Sequence, residues 1–197
     1  ETALKLRHAI ISTPERDVRD IEAKERLLVE AEEAMELVKL GADLLVATAL
    51  CDPKRQAMLE ATLHMEYTVM ASASEEARKQ KFTVSAKAES RVAFKKIRKE
   101  VDDLLQGRRP FHWPLEFPEV FAVGLEEERG FAAIVSNPPF QGGQKITGVL
   151  GTDYRDYLVQ YLANGKRGSA DLCAYFFLRA SHLTREGGQF GLLAVSY

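Results

Sequence analysis

An apolar segment that runs without interruption into Asn-Pro-Pro-Phe, residues 131–140, constrains this chain more than any other feature. Phe131, Ile134 and Val135 belong to a β-prone stretch, and Pro138 and Pro139 fix φ and remove two backbone donors, so a strand cannot continue through them. Asn137 precedes a proline and is driven to extended geometry. A stiff turn at the carboxyl end of a strand follows, which is where open α/β sheets place their ligands. There an amide side chain, outward carbonyls and an aromatic ring are held in fixed relation. That set suits a planar molecule carrying an exocyclic amino group.

The segments around the turn set the fold class. The strand at Phe131–Val135 leads through a Gly-rich stretch (Gly142, Gly143, Gly148, Gly151), expected to be a mobile loop. A helix is expected from Thr152 or Asp153 to Asn164-Gly165. Ser169 is expected to cap a second helix that stops at Gly187-Gly188, followed by a strand at Phe190–Val195. Strand, helical crossover and strand make a βαβ unit with parallel strands and right-handed crossover. Upstream, residues 1–110 read as helical. Ser12-Thr13-Pro14-Glu15 carries a helix-start signature, and Ile21, Leu28, Met35 and Val38 recur at helical spacing. A short apolar helix over Ala42–Leu50 stops at Asp52-Pro53, and another is expected over Lys54–Met70. Phe94, Ile97, Val101, Leu104 and Leu105 share one face of a last helix ending near Gly107. Phe111–Phe121 is aromatic and too rich in proline for a helix. The reading is an incomplete α/β chain: a helical bundle or insertion over 1–110, then part of a Rossmann-like sheet over 111–197.

At this point the chain resembles a family. Asn137-Pro138-Pro139-Phe140 after an apolar strand is similar to motif IV of the N6-adenine DNA methyltransferases. Phe111–Phe121 and Asp171–Ala180 are similar to the flanks of that motif in large bacterial type IIG restriction–modification enzymes. Ala132 departs from the family, which often has Asp there, but that Asp does not read the base. The resemblance implies a Rossmann-like catalytic domain, S-adenosylmethionine as methyl donor and double-stranded DNA with a flipped adenine as partner. It gives Asn137, Pro138, Pro139 and Phe140 the catalytic role. An enzyme acting on RNA or a protein glutamine remains open, as does a non-catalytic DNA-binding or scaffold module.

Composition bears on the rest. Apolar residues are 46% and charged residues 28%, ordinary for a globular chain, and the formal net charge of −2 is not that of a polycation. No stretch spans a bilayer, and Cys51 and Cys173 form no metal or disulfide pattern, so a reducing cytoplasm is the expected compartment, a bacterial one as the resemblance implies. The basic run Arg78, Lys79, Lys81, Lys87, Arg91, Lys95, Lys96, Arg98 and Lys99 reads as a solvated helix face more readily than as a phosphate track. Asp20, Glu22 and Lys24 imitate a nuclease signature but fall in helical sequence. His8, His64, His112 and His182 lack ligand spacing and any evident partner, and Cys173 reads as core. No metal site is expected. A cofactor cradle needs a Gly-x-Gly turn, and no two glycines are separated by one residue. The chain opens at Glu1 without Met and stops after an apolar segment, so it reads as a fragment with the base-binding half of a site. It is not expected to bind S-adenosylmethionine tightly. An unpaired edge on the 131–135 strand would favour self-association.

Overall fold

A computed structural model describes residues 2–14, 16–51, 53–79, 84–122 and 128–193. Two compact units divide it, Glu1–Glu119 and Val120–Tyr197. The first unit is helical. α1 (Thr2–Ser12) is followed by α2 (Val18–Ala49), α3 (Pro53–Lys79) and α4 (Val84–Leu105), and α2 packs on the other three. α2 is one continuous helix, where the sequence suggested a break before Ala42. Its cap is Asp17, whose carboxylate accepts from the backbone N–H groups of Arg19 and Asp20 at 2.8 and 3.2 Å. The Ser12-Thr13 pair instead closes α1, since both hydroxyls donate back to the Ala9 carbonyl.

The Ile21–Leu28–Met35–Val38 spacing marks a helix but not its inner face: Ile21, Leu28 and Val38 are exposed. Burial falls on Ala31, Leu40, Leu44, Ala47 and Thr48, with Leu63 of α3 and Ile97, Val101 and Leu105 of α4. The α4 face therefore agrees with its heptad-like spacing. Thr48 is tolerated in this core because its hydroxyl donates to the Leu44 carbonyl at 3.0 Å. Tyr67 joins α3 to α2 by donating to the Leu37 carbonyl at 3.0 Å.

Phe111–Phe121 does form helix, as two single turns, α5 (Trp113–Glu116) and α6 (Pro118–Phe121). Each turn carries proline in its first turn, where the missing N–H is no loss. Residues 111–119 lie in the first unit. His112 Nε2 sits 2.7 Å from Asp43 Oδ1, Lys39 pairs with Glu116 at 2.7 Å and Arg7 with Glu119 at 3.1 Å. His112 thus has a partner that its sequence context did not reveal. Asp43 also takes Arg98 at 2.6 Å, so one carboxylate links α2, α4 and the aromatic segment. Rings of Phe111, Trp113 and Phe117 pack together, with centroids 4.9 to 6.4 Å apart. Lys81 of the basic run lies outside the described residues. Lys96 pairs with Glu66 and Glu100, and Arg98 with Asp43 and Asp102, so these two cations face acids of the same unit.

The second unit holds a two-stranded parallel sheet, β1 (Phe131–Ser136) beside β2 (Thr184–Leu192). No other described strand pairs with β1. Between the strands come α7 (Gly143–Leu150), α8 (Thr152–Tyr157) running into a π-helical turn (Leu158–Leu162), and α9 (Leu172–Leu183). β2 starts earlier than the sequence suggested, and Gly187 and Gly188 lie inside it, not at a helix end. The expected strand residues 194–195 fall outside the described residues. Register holds from Ala133↔Gln189 to Ser136↔Leu192, but Phe131 faces Thr184, so β2 bulges between Thr184 and Gln189. Gly130 makes that bulge possible. Its φ of +119° is open to glycine, and a Cβ there would meet Arg185 N at 2.7 Å and Leu183 O at 2.8 Å. Ile146, Leu158, Leu162, Leu172 and Tyr175 form the helical core of this unit. The α8–π helix ends at Asn164 and Gly165, both at positive φ, as expected.

Two glycine substitutions separate these causes. Gly130→Ala should destabilise the chain by about 2 kcal/mol, since strain and backbone overlap both act. Gly148→Ala, inside α7 with open space at its Cβ, should stabilise it by about 0.5–1 kcal/mol. Urea unfolding of the two variants should show opposite shifts of midpoint with unchanged slope.

Candidate functional site at the end of β1

Pro138 and Pro139 end β1 as the sequence requires, and the turn after them is presented outward. Asn137 and Pro139 are exposed, Pro138 is buried, and Phe140 keeps 40% of its surface accessible. Phe140, two residues beyond the buried Pro138, is an apolar plate that the fold leaves partly exposed. On the strand side the turn is tied by Leu193, whose N–H donates to the Ser136 carbonyl at 3.0 Å.

The other end of the turn is caught at Gln141. Its N–H donates to Asp171 Oδ1 at 3.1 Å, and its carbonyl accepts from the Leu172 N–H at 2.9 Å. The same Asp171 oxygen accepts from the Cys173 N–H at 2.9 Å, making Asp171 the N-cap of α9. Ser169, the residue expected in that role, lies before the helix. Those N–H donors, first that of Cys173 and then that of Gln141, hold the Asp171 carboxyl below its ordinary range against partial burial. Burial first, and then the adjoining Asp171, pushes the Cys173 thiol up. Cys173 is half-buried, not deep core.

The stretch expected to be a mobile Gly-rich loop is the helix α7. Ile146 and Leu150 give it an apolar side that packs into the core of this unit. Its first residue, Gly143, sits where a Cβ would fall 2.4 Å from the Ser169 carbonyl oxygen and 2.5 Å from that of Ala170. Only hydrogen fits. Arg155 of α8 then spans the junction, donating through Nη1 to the Gly143 carbonyl and through Nη2 to that of Gly168 at 2.6 Å. Asn137–Phe140, Gly143, the 166–171 segment and the start of α9 are thus one assembly.

A family model described as Eco57I restriction-modification methylase matches residues 23–197. The chain belongs to that family. Membership of the Eco57I-type methylases implies a DNA methyltransferase. No curated protein and no solved structure matches the chain. An adenosyl cofactor needs backbone N–H groups at a strand end that can close on it. In this methylase chain the described end of β1 is a pair of prolines, which have none, so this strand end does not supply such a cradle. Among the described residues no group of three His, Cys, Asp or Glu side chains could hold a metal, and no helix is long and apolar enough to cross a membrane.

Asp171 and Arg155 were not legible as site residues. An Asp ahead of the apolar run Leu172–Leu178 is a cap signal that could have found the first. Arg155 had none, because both of its partners are backbone carbonyls. The depressed Asp171 carboxyl contributes stability that is complete above the ordinary aspartate value of about 4 and is lost as pH falls through its lower folded value. Urea unfolding should therefore show wild type and Asp171→Asn separated by a constant margin above about pH 5 that shrinks below about pH 4.

Proposed function

We propose that residues 137–140 are the base-reading turn of an S-adenosylmethionine-dependent methyltransferase that modifies the N6 amino group of adenine in double-stranded DNA. The observation that carries this reading is the exposed Asn137 and Phe140 around a buried Pro138 at the carboxyl end of a parallel strand. The restriction–modification family supports DNA as the substrate.

The residue chemistry suits this assignment. The adenine N6 lone pair is delocalised into the ring and is a weak nucleophile. Two acceptors, the Asn137 amide oxygen and the Pro138 carbonyl, hold the two N6 protons. That fixes the nitrogen and favours its pyramidal, electron-rich state, the state that accepts a methyl group. Phe140 offers its face to a base flipped out of the duplex. The donor is bound by residues other than those described, and it supplies only the methyl group.

In the natural protein, Asn137→Ala should lower kcat for N6-methyladenine formation by about 100-fold or more, because the lost acceptor matters most in the transition state. Phe140→Ala should weaken capture of the flipped base by about 1–3 kcal/mol, by analogy with base–aromatic stacking. Quantifying N6-methyladenine in duplex DNA checks both, and near-normal turnover of Asn137→Ala would refute the role given to it.

The 197-residue chain itself should not bind S-adenosylmethionine tightly. Titration calorimetry on the purified chain is the check, and a micromolar site at one per chain would overturn that expectation.

A further inference from the structure

We infer that Asp171 is a positioning residue for the 137–140 turn, acting through the backbone of Gln141 and not through substrate. The inference rests on the functional reading of that turn given above. Pro138 and Pro139 make the turn nearly rigid, so its aim is decided at its two ends. The upstream end is the β-ladder, closed by Leu193 on the Ser136 carbonyl at 3.0 Å. The downstream end is Gln141, which directly follows Phe140. Both of its backbone groups are taken, the N–H by Asp171 Oδ1 at 3.1 Å and the carbonyl by the Leu172 N–H at 2.9 Å.

A stiff segment held at two points turns as one body when either point is released. Loss of the Asp171 contact would therefore re-aim Asn137 and Phe140 together, without removing a group that touches the base. The 166–171 segment that carries Asp171 is itself braced by Arg155 on the Gly168 carbonyl and by the close seat of Gly143 against Ser169 and Ala170. Asp171 does two jobs with one oxygen, capping α9 and holding Gln141, and the two are separable by side-chain length. Serine caps a helix well, but its oxygen lies one bond nearer the backbone and cannot also reach Gln141. Asparagine keeps an oxygen at the Oδ1 position.

The test uses the natural protein carrying Asp171→Ser or Asp171→Asn. Duplex affinity, kcat for N6-methyladenine formation and hydrogen exchange at the Gln141 amide are measured for each. Asp171→Ser should retain duplex affinity and lose about tenfold or more in kcat, the scale of a misaimed reacting group. Its Gln141 amide should exchange faster than in wild type. Asp171→Asn should restore protection of that amide and bring kcat to within about threefold of wild type, because the acceptor is kept. Wild-type kcat in Asp171→Ser would overturn the inference. So would equally low kcat in both variants, which would mean that charge matters and not the clamp. A wild-type protein that makes no N6-methyladenine would sink the functional reading instead. The clamp would then stand or fall on the Gln141 amide alone.

Discussion

Two consecutive prolines end β1 and deny the chain two backbone donors, and the rest of the second unit is arranged around recovering from that break. Recovery happens at Gln141, where Asp171 takes the N–H and Leu172 donates to the carbonyl. This pairing closes a loop of sequence onto the start of α9, and it does so with groups that would otherwise be unsatisfied. The first N–H groups of a helix have no partner inside it. Here they are spent on Asp171 and on Gln141, so capping the helix and catching the turn are the same event.

The close seat of Gly143 follows from that closure. Once Gln141 is held against Asp171 and Leu172, the chain must leave past the carbonyls of Ser169 and Ala170, and a side chain has no room there. Arg155 braces both sides of this contact by donating to the carbonyls of Gly143 and Gly168. Behind this polar junction Ile146, Leu158, Leu162, Leu172 and Tyr175 exclude water, which keeps the hydrogen bonds in front of them from being traded for solvent. The exposed Phe140 thus sits on a support that is packed behind and tied at both ends. A rigid mount with a partly exposed aromatic suits the base-reading role proposed for this turn.

The first unit is built on different terms. Its core is aliphatic and its joints are ionic. Asp43, with 14% of its side chain exposed, takes both Arg98 and His112. Desolvated carboxylates are costly unless paired, so the two partners explain why an acid is tolerated on the inner side of α2. Ion pairs such as Lys96–Glu66 lie in solvent and add little. Of the basic run, Lys96 and Arg98 are matched in this way by acids of the same unit.

Local rules were legible wherever backbone chemistry decides the outcome alone. Pro138-Pro139 had to stop β1, Asn164-Gly165 had to end a helix, and Ile97, Val101 and Leu105 had to share a buried face. The Asn-Pro-Pro-Phe turn and its parallel β-unit could be read from residue order for the same reason. What the sequence left open depended on contacts between residues far apart in the chain. α7 is a helix because Ile146 and Leu150 find a core, although its glycines favour a loop. Gly187 and Gly188 lie in a bulged strand because the chain there packs on β1, with Gly188 against the Phe131 carbonyl and Arg185 against Gly130. Asp171 displaces Ser169 as cap because its longer side chain reaches Gln141 and Cys173 at once. Residue type sets which conformations are affordable one residue at a time. Only the assembled chain supplies the partners that choose among them.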